Sequence, residues 1–233
     1  MIVCVTGMHR SGTSALARVL NILGMDLGDP KQLMKPHPEQ NARGFWEHWA
    51  FVRLNDRILK ECGGTWDRPP SIVRRQPQFV ADARKLLQEF SSADLRGWKD
   101  PRTAITFPVW KAAARAAGLD LRTVVSIRHP DQVAASLQKR NLVTAERARE
   151  LWRRHYRSIA EHTDPKKRTC VHYEDLLQDW RRALLPLRDL VPLDNRVAEM
   201  EIDEFLAREL QHHAESPPLT EEDMGILRML GSP

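Results

Sequence analysis

The sequence has few cysteines and no long apolar stretch, and both absences restrict its class. Cys4, Cys62 and Cys170 are odd in number and show no C-x-x-C spacing, a pattern that favours reduced thiols over a disulfide framework. No window approaches the roughly eighteen apolar residues of a membrane-spanning helix. The N-terminus also lacks the basic and apolar regions of a signal peptide. We therefore expect a cytoplasmic protein with reduced, buried thiols and no membrane span.

Charge of one sign is not concentrated in any segment. The chain has 36 Lys and Arg residues against 31 Asp and Glu, a net charge of +5, which is compatible with anionic ligands. No basic run is interleaved with aromatic residues, and the basic residues are scattered along amphipathic helical patterns whose charged faces are solvated. We therefore expect no nucleic-acid partner.

The length and composition are ordinary for a globular protein. The chain has 233 residues, of which 42% are hydrophobic and 29% charged, enough for a sizeable core without a second domain. We expect a single domain over residues 1–233. Two segments rich in proline and glycine, residues 25–47 and 63–76, are predicted as loops, and loops of such length in compact domains are often functional. We expect these two loops to be substrate-side insertions.

The N-terminal segment contains the pattern on which the rest of the interpretation depends. Residues 2–6 form a short apolar, β-branched run, which predicts a buried strand. The segment GMHRSGTS, residues 7–14, follows, and Gly7 and Gly12 permit a tight turn and a close approach of the main chain. From Thr13 a helix is predicted, because apolar residues recur at helical spacing. Strand, glycine loop and helix together make an anion cradle, in which N–H groups and the positive helix end converge on a phosphate.

One residue of this loop departs from the phosphate-binding loop of kinases. Gly7 and Gly12 occupy the glycine positions of the pattern G-x-x-x-x-G-K-[ST], and Ser14 occupies the hydroxyl position. Thr13, however, stands where the lysine belongs, and the loop's only strong cation is Arg10. Because that lysine contacts the β- and γ-phosphates on which a kinase acts, the loop is poorly suited to ATP chemistry.

The segment R-S-G-T-S after a strand resembles the 5′-phosphosulfate loop of sulfotransferases that use 3′-phosphoadenosine 5′-phosphosulfate (PAPS). The resemblance implies a P-loop-like three-layer α/β fold, with a parallel central sheet of four or five strands flanked by helices and a site at the carboxyl ends of the strands. It further implies which residues hold the 5′-phosphate and the sulfonyl group. These are Arg10, Ser11, Gly12, Thr13 and Ser14.

A second motif lies within residues 121–138. A β-branched run is followed by Arg128-His129-Pro130, whose proline suits the first turn of a helix. Sulfotransferases carry a 3′-phosphate motif in which an arginine at a strand end is followed, eight residues later, by a serine, and Arg128 and Ser136 reproduce this spacing. An arginine fork and a hydroxyl two helical turns away can close on one phosphate. The resemblance therefore implies that this pair holds the 3′-phosphate of PAPS.

Titratable side chains near the end of the 25–47 segment are candidates for the general base. Glu47 is the first choice, because it ends a long loop that follows the phosphate-loop helix. It also belongs to a G-F-W-E segment that resembles the sulfotransferase family. The alternative for Glu47 is a carboxylate that faces the positive end of the next helix. His48, Glu39 and His37 follow in that order, with Lys99 possible for an acidic acceptor.

Charged residues also follow the predicted strand that ends at Lys99. The segment W-K-D-P-R is similar to one in many bacterial sulfotransferase-like sequences. Lys99, Asp100 and Arg102 are predicted at the carboxyl edge of the sheet, where open α/β sheets bind ligands. They either contact the nucleotide or substrate, or cap and pair with one another around a helix over residues 103–117.

The C-terminal third adds support for the family rather than a second site. Residues 173–176, YEDL, are similar to a recurring sulfotransferase segment, and their acids are predicted to start a helix over 176–185. A short helix is predicted over 205–211. The pair His212-His213 has no metal-ligand partner at a suitable spacing, so we expect exposed histidines. The R-K-G signature of the family's cytosolic small-molecule branch is missing, which argues against that branch and leaves the adenine contacts unassigned.

Taken together, the resemblance implies transfer of a sulfuryl group from PAPS to a hydroxyl or amine, by in-line attack and without a metal. Arg10 and the loop N–H groups would offset the charge that builds on the leaving phosphate oxygen. The loop compositions fit a small-molecule phenol, a sugar or a peptide acceptor equally. Two alternatives stay open: a small-molecule kinase with a degenerate P-loop, which needs Mg²⁺ held by a carboxylate such as Asp100, and a nucleotide-binding protein without catalysis.

Overall fold

A four-stranded parallel sheet runs through the described part of the chain. In a computed structural model its strands are β1 (Ile2–Thr6), β2 (Arg96–Lys99), β3 (Leu121–Ile127) and β4 (Arg168–His172), in the order β2-β1-β3-β4. All three pairings are parallel, so the carboxyl ends of the strands meet at one edge. The chain passes from β1 to β2 on one side and then to β3 on the other. This reversal is the switch point at which open α/β sheets bind ligands.

The structure describes residues 1–39, 41–139, 143–188, 191, 199–207 and 217–232. The helices within these residues are α1 (Thr13–Ile22), α2 (Trp49–Glu61), α3 (Pro77–Glu89), α4 (Thr103–Ala116), α5 (Pro130–Gln138), α6 (Ala145–His162), α7 (Tyr173–Gln178), α8 (Trp180–Ala183), α9 (Glu199–Ala207) and α10 (Glu221–Met229).

Helices cover both faces of the sheet and produce three layers. Alternate residues of β1 point to opposite faces, as the period of a strand requires. Val3 and Val5 pack with α1, α7, α8 and α9, whereas Ile2 and Cys4 pack with α2, α3 and α4. The second face continues across β3 to α5, α6 and α10. Because both faces are covered, every residue of β1 is buried. The predicted P-loop-like α/β fold, with four parallel strands, is confirmed.

The helices after β4 differ from the prediction. The helix predicted over 176–185 was wrong in its bounds, because α7 begins at the end of β4 and stops before Asp179. Asp179 leaves the helical conformation at φ = −152°, and its side chain accepts a hydrogen bond from the Arg182 N–H to cap α8. Helix α10 was not predicted. Thr220 caps it, and three acids occupy its first turn.

The remaining sequence predictions concern the tail and the thiols. The helix predicted over 205–211 is described only as far as the end of α9, and His212-His213 lie outside the described residues. All three cysteines are free, but the prediction of buried thiols holds for Cys4 alone, since the other two are partly exposed. No helix among the described residues is long and apolar enough to cross a membrane.

Candidate active site

A cavity of about 540 Å³ opens at the carboxyl edge of the sheet. Its wall is formed by the loop after β1, the 25–47 segment, the residues after β2 and β3, and the start of α7; the 63–76 segment contributes Trp66. The basic residues on this wall are Arg10, Arg43, Lys99, Arg102, Arg128 and Lys139. The acids on it are Glu39 and Glu47. The cavity therefore has the size and the charge for an anionic ligand as large as a nucleotide.

The glycine loop after β1 brings the start of α1 to this cavity. Gly12 has φ = 81°, and a Cβ atom there would lie 2.1 Å from the Tyr173 ring, so only glycine fits. Within the described chain no side chain caps α1. The first N–H groups of a helix have no partner inside the helix, and Gly12, Thr13, Ser14 and Ala15 all line the cavity. The start of α1 therefore presents to the cavity the N–H groups that the predicted anion site requires.

Ser11 has a different place from its neighbours in the loop. Its side chain is buried, and its Oγ lies 3.0 Å from the Tyr156 hydroxyl. Its carbonyl oxygen accepts from Ser126 Oγ at 2.6 Å, and its N–H donates to the Met8 carbonyl at 3.1 Å. These bonds tie the loop to β3 and α6. The structure thus uses Ser11 to shape the loop and does not bring its hydroxyl to the cavity.

Arg10 and Arg128 line the cavity side by side, and Ser136 is bonded to Arg10. Arg10 adopts the left-handed conformation at φ = 71°, and its Nε donates to Ser136 Oγ at 3.0 Å. Arg128 Nη1 donates to the Arg10 carbonyl at 3.4 Å. The Arg128 guanidinium also lies 4.8 Å from the centre of the Tyr173 ring, within the range of a cation–π contact. Residues separated by more than one hundred positions thus form one basic cluster.

Lys99 supplies the cation beside the loop hydroxyl. Its Nζ donates to Ser14 Oγ at 3.1 Å, to the Phe45 carbonyl at 2.9 Å and to Glu47 Oε1 at 2.6 Å. The side chain is only 2% exposed. The loop has Thr13 where the kinase pattern has lysine, and a lysine from the end of β2 lies beside Ser14 instead. Contact of Lys99 with the ligand was only one of the two alternatives that the sequence left open.

Glu47 reaches the cavity wall, but its carboxylate is already engaged. Oε1 accepts from Lys99, and Oε2 lies 3.2 Å from Arg102 Nη1. Burial disfavours the charged form of Arg102, but the carboxylates of Asp100, Glu47 and Asp56 outweigh it, so the pKa of Arg102 is raised above its ordinary value. Both oxygens of the predicted base are thus held by cations.

Asp100 is fully buried beneath this cluster. Its Oδ1 accepts from the Arg102 N–H at 2.9 Å and from Arg102 Nη1 at 3.0 Å, and its Oδ2 accepts from Asn55 Nδ2 at 2.9 Å. Asn55 is held in turn by the indole of Trp110, which donates to Oδ1 at 2.8 Å. Of the two alternatives for Asp100 and Arg102, the structure shows the one in which they pair with each other.

The other candidate bases lie at different distances from the cavity. His48 packs against Phe51 and Phe90, and its Nδ1 accepts the Ala50 N–H at 3.2 Å to cap α2. Burial and the nearby Arg53 lower the pKa of His48. The structure does not bring His48 to the cavity. Glu39 lies exposed on its wall, and His37 is exposed in a short bridge with Asn41.

Two residues that sequence reasoning did not place in the site line the cavity. Tyr173, from the YEDL segment, lies beneath Gly12 and Arg128. His9 lies inside the glycine loop itself, and its ring centre is 4.4 Å from that of Trp66. Its position next to Arg10 in the loop was the only signal available in the sequence.

The protein thus has a P-loop-like α/β fold with a cavity lined by basic side chains at the carboxyl edge of its sheet. Comparison of the sequence with family models and with curated proteins finds no match. Among solved structures, the chain is similar to the sulfotransferase domain of the olefin synthase from Synechococcus PCC 7002, with a TM-score of 0.54 and 17% identity over 100% of this chain and 94% of that one.

A second similar structure is the sulfotransferase domain from the curacin biosynthetic pathway. Its TM-score is 0.51 at 17% identity, over 100% of this chain and 98% of that domain. The likeness extends along the whole chain in both comparisons. The protein therefore has the fold of these sulfotransferase domains.

Proposed function

We propose that this protein transfers a sulfuryl group from PAPS to a hydroxyl or amine. The observation that supports the proposal is a single cavity lined both by the uncapped start of α1 and by the basic pair Arg10 and Arg128, with Ser136 bonded to Arg10. A donor with phosphates at both its 5′ and 3′ positions needs two anion sites. The fold shared with two sulfotransferase domains supports the same conclusion.

The residues at the cavity fit the donor in charge and chemistry. The N–H groups at Gly12, Thr13 and Ser14 would hold the 5′-phosphosulfate, with Arg10 beside them. Arg128 and Ser136 would hold the 3′-phosphate. When bound, PAPS supplies an activated sulfuryl group on a phosphate oxygen.

The chain's own residues then have three tasks during transfer. The acceptor oxygen or nitrogen forms a bond to sulfur while the sulfur–oxygen bond to the 5′-phosphate breaks, and the electron pair of that bond stays on the phosphate oxygen. Lys99 and Arg10 offset the negative charge that develops there. A general base takes the proton of the acceptor. The walls exclude water that would otherwise compete as acceptor.

The kinase alternative is less compatible with the hydrogen bonds of this site. A kinase needs a carboxylate free to hold Mg²⁺. Both oxygens of Asp100, the carboxylate that this alternative requires, are already bonded to Arg102 and Asn55.

Two measurements test the proposal. Calorimetric titration should show tighter binding of adenosine 3′,5′-bisphosphate than of ATP with Mg²⁺, and the reverse order would favour the kinase. Labelled PAPS should then transfer its label to at least one member of a panel of phenols, sugars and peptides. Binding of the bisphosphate with no transfer to any acceptor would instead support a nucleotide-binding protein without catalysis.

The sequence prediction assigns the general base to Glu47. On that assignment Glu47→Gln, which keeps the shape of the side chain, should leave PAPS affinity unchanged, lower turnover at least tenfold and remove the acid limb of the pH–rate profile. A profile that retains its acid limb would show that another group takes the proton.

A further inference from the structure

His9 is a cavity residue to which the proposed function gives no task. It lies in the glycine loop, one residue before Arg10, and its ring contacts that of Trp66 from the 63–76 segment at an interplanar angle of 39°. Its Nδ1 is buried and has no hydrogen-bond partner among the described residues. Of the seven buried side-chain polar atoms without a hydrogen-bond partner in the described chain, three belong to residues that line the cavity: His9 Nδ1, Trp46 Nε1 and Arg102 Nε. An indole N–H and a guanidinium N–H can only donate, so His9 Nδ1 is the one of these three that can accept a proton.

The charges around His9 keep its ring neutral. Burial lowers its pKa well below the ordinary value, and Arg102, His155, Lys99 and Arg10 lower it further. Arg10 belongs to the glycine loop, Lys99 to the end of β2 and His155 to α6, and Arg102 directly precedes α4. Trp66, whose ring centre lies 4.4 Å from that of His9, carries no charge. A neutral imidazole is the form that can accept a proton.

An anionic donor would reverse this electrostatic effect. Phosphate and sulfonyl oxygens held by Arg10 and Lys99 would offset the positive charges that oppose protonation of His9. The basicity of the ring would therefore rise only when the donor is in place. Glu47 differs from His9 in its contacts, because both of its oxygens accept hydrogen bonds, one from Lys99 and one from Arg102.

We propose that His9 is the general base that takes the proton of the acceptor, and that Glu47 positions Lys99 and Arg102. The inference rests on the proposed function. In this step an acceptor O–H or N–H bond breaks as the acceptor's bond to sulfur forms, and the proton passes to an imidazole nitrogen of His9. The electron pair of the sulfur–oxygen bond leaves with the adenosine 3′,5′-bisphosphate. The imidazolium then loses its proton to solvent after the product departs.

The kinetic test compares His9→Gln with Glu47→Gln, with His162→Gln as the matched control. His162 lies at the end of α6, away from the cavity. With phenol as acceptor, we expect His9→Gln to lower single-turnover transfer from PAPS by about 10²–10⁴-fold and to remove the acid limb of the pH profile. Glu47→Gln should retain that limb. The loss in His9→Gln should shrink with 4-nitrophenol, a stronger acid that depends less on a base.

Adenosine 3′,5′-bisphosphate separates a role in proton transfer from a role in binding. Its dissociation constant should change less than about threefold in His9→Gln, since a neutral ring contributes little to anion affinity. A parallel loss of bisphosphate affinity and turnover would overturn the inference. So would turnover within a factor of about three of the unsubstituted enzyme.

A nuclear magnetic resonance titration needs no acceptor at all. In ¹³C-labelled protein, the His9 ring should titrate at a distinctly higher pH when the bisphosphate is bound than when it is absent. An unchanged titration midpoint would overturn the proposed base while leaving sulfuryl transfer intact. Failure of the unsubstituted enzyme to bind the bisphosphate or to transfer from PAPS would instead overturn the proposed function, so the two failures are distinguishable.

Discussion

Two ion pairs of this molecule have the same N···O distance but differ in how far their side chains are exposed to solvent. Beside the cavity, Lys99 and Glu47 are joined at 2.6 Å, with side chains 2% and 7% exposed. Between α8 and α9, Arg181 and Glu199 are also joined at 2.6 Å, but 45% and 58% of their side chains are exposed. Water and salt screen the exposed pair, whereas the buried pair has lost its hydration and depends on its partners.

The difference shows that distance alone does not reveal the role of an ion pair. A buried pair is often no more stabilising than well-packed apolar residues, so its presence calls for a reason other than stability. Here the pair holds a lysine against the hydroxyl of Ser14, at the start of α1. The buried charges therefore hold Lys99 at the start of α1, where we propose that phosphate binds. The exposed pair lies at the surface and has no such contact with the cavity.

The largest effect is expected from breaking the buried pair. Lys99→Met should destabilise the protein by about 3–5 kcal/mol, because Glu47 would lose its closest cation without regaining water. The free energy of unfolding from urea titration measures this, with transfer from PAPS as a second readout. An unfolding midpoint equal to that of the unsubstituted protein would contradict the distinction drawn here.

Arg128 tests whether the charge of the cluster at the cavity is used for binding. Arg128→Ala should weaken adenosine 3′,5′-bisphosphate by roughly 2–5 kcal/mol, as for removal of one partner of a buried charge pair. Adenosine 5′-phosphosulfate, which lacks the 3′-phosphate, is the control ligand. Its affinity for the Arg128→Ala variant should be nearly the same as for the unsubstituted protein. Equal losses for both ligands, measured by calorimetry, would remove Arg128 from this role.

Arg10 tests the same cluster in turnover. Arg10→Ala should lower kcat by about 10²–10³, the loss seen when a preorganised donor to developing charge is removed. Arg10→Lys should retain substantial activity, because it keeps a cation at the same place. Full activity of Arg10→Ala in the PAPS assay would argue against the assignment of the phosphosulfate loop.

His155, a buried histidine of α6, should make the stability of the protein depend on pH, which an exposed charge with an unshifted pKa does not. Burial holds the pKa of His155 at about 4, against about 6.5 in an unfolded chain. Between these values the unfolded state binds the additional proton, so stability is fully present above about pH 6.5 and falls by up to about 3 kcal/mol as the pH is lowered to 4. His155→Phe should flatten this slope in urea titrations run across that range; an unaltered slope would assign it to other groups.

The smallest effect is expected from the exposed pair. Arg181→Met removes a charge that water already solvates, so the urea midpoint should not move measurably and PAPS transfer should be unchanged. It is the matched control for Lys99→Met, since both substitutions replace one cation of a 2.6 Å pair with the same apolar residue.

Local patterns were sufficient to predict the framework of this fold. The β-branched runs predicted β1 and β3, and helical periodicity predicted α1 and α2, because burial of one face leaves its period in the sequence. The break between α7 and α8 was not predicted, since it depends on a cap made by one side chain, Asp179. Boundaries of that kind are set by single contacts rather than by periodicity.

The site was predictable to the extent that its residues follow strands. Arg10 lies in the loop after β1, and Arg128 directly follows β3. Parallel strands bring the residues that follow them to the same edge of the sheet. The engagement of Glu47 by Lys99 was not predictable, because the two are 52 residues apart. The unbonded nitrogen of His9 likewise emerges only when its surroundings are known.

Ser14 links three parts of the chain, and this has a consequence for refolding. Its Oγ bonds with Asn41, Phe45 and Lys99, which are 27, 31 and 85 residues away. Contacts between distant residues close the longest loops and form slowly. On dilution from urea, burial of the tryptophans should therefore precede recovery of bisphosphate affinity. If the start of α1 binds phosphate as we propose, it would do so only after β2 has docked and brought Lys99 to Ser14, so we expect affinity for the bisphosphate to be the last property recovered.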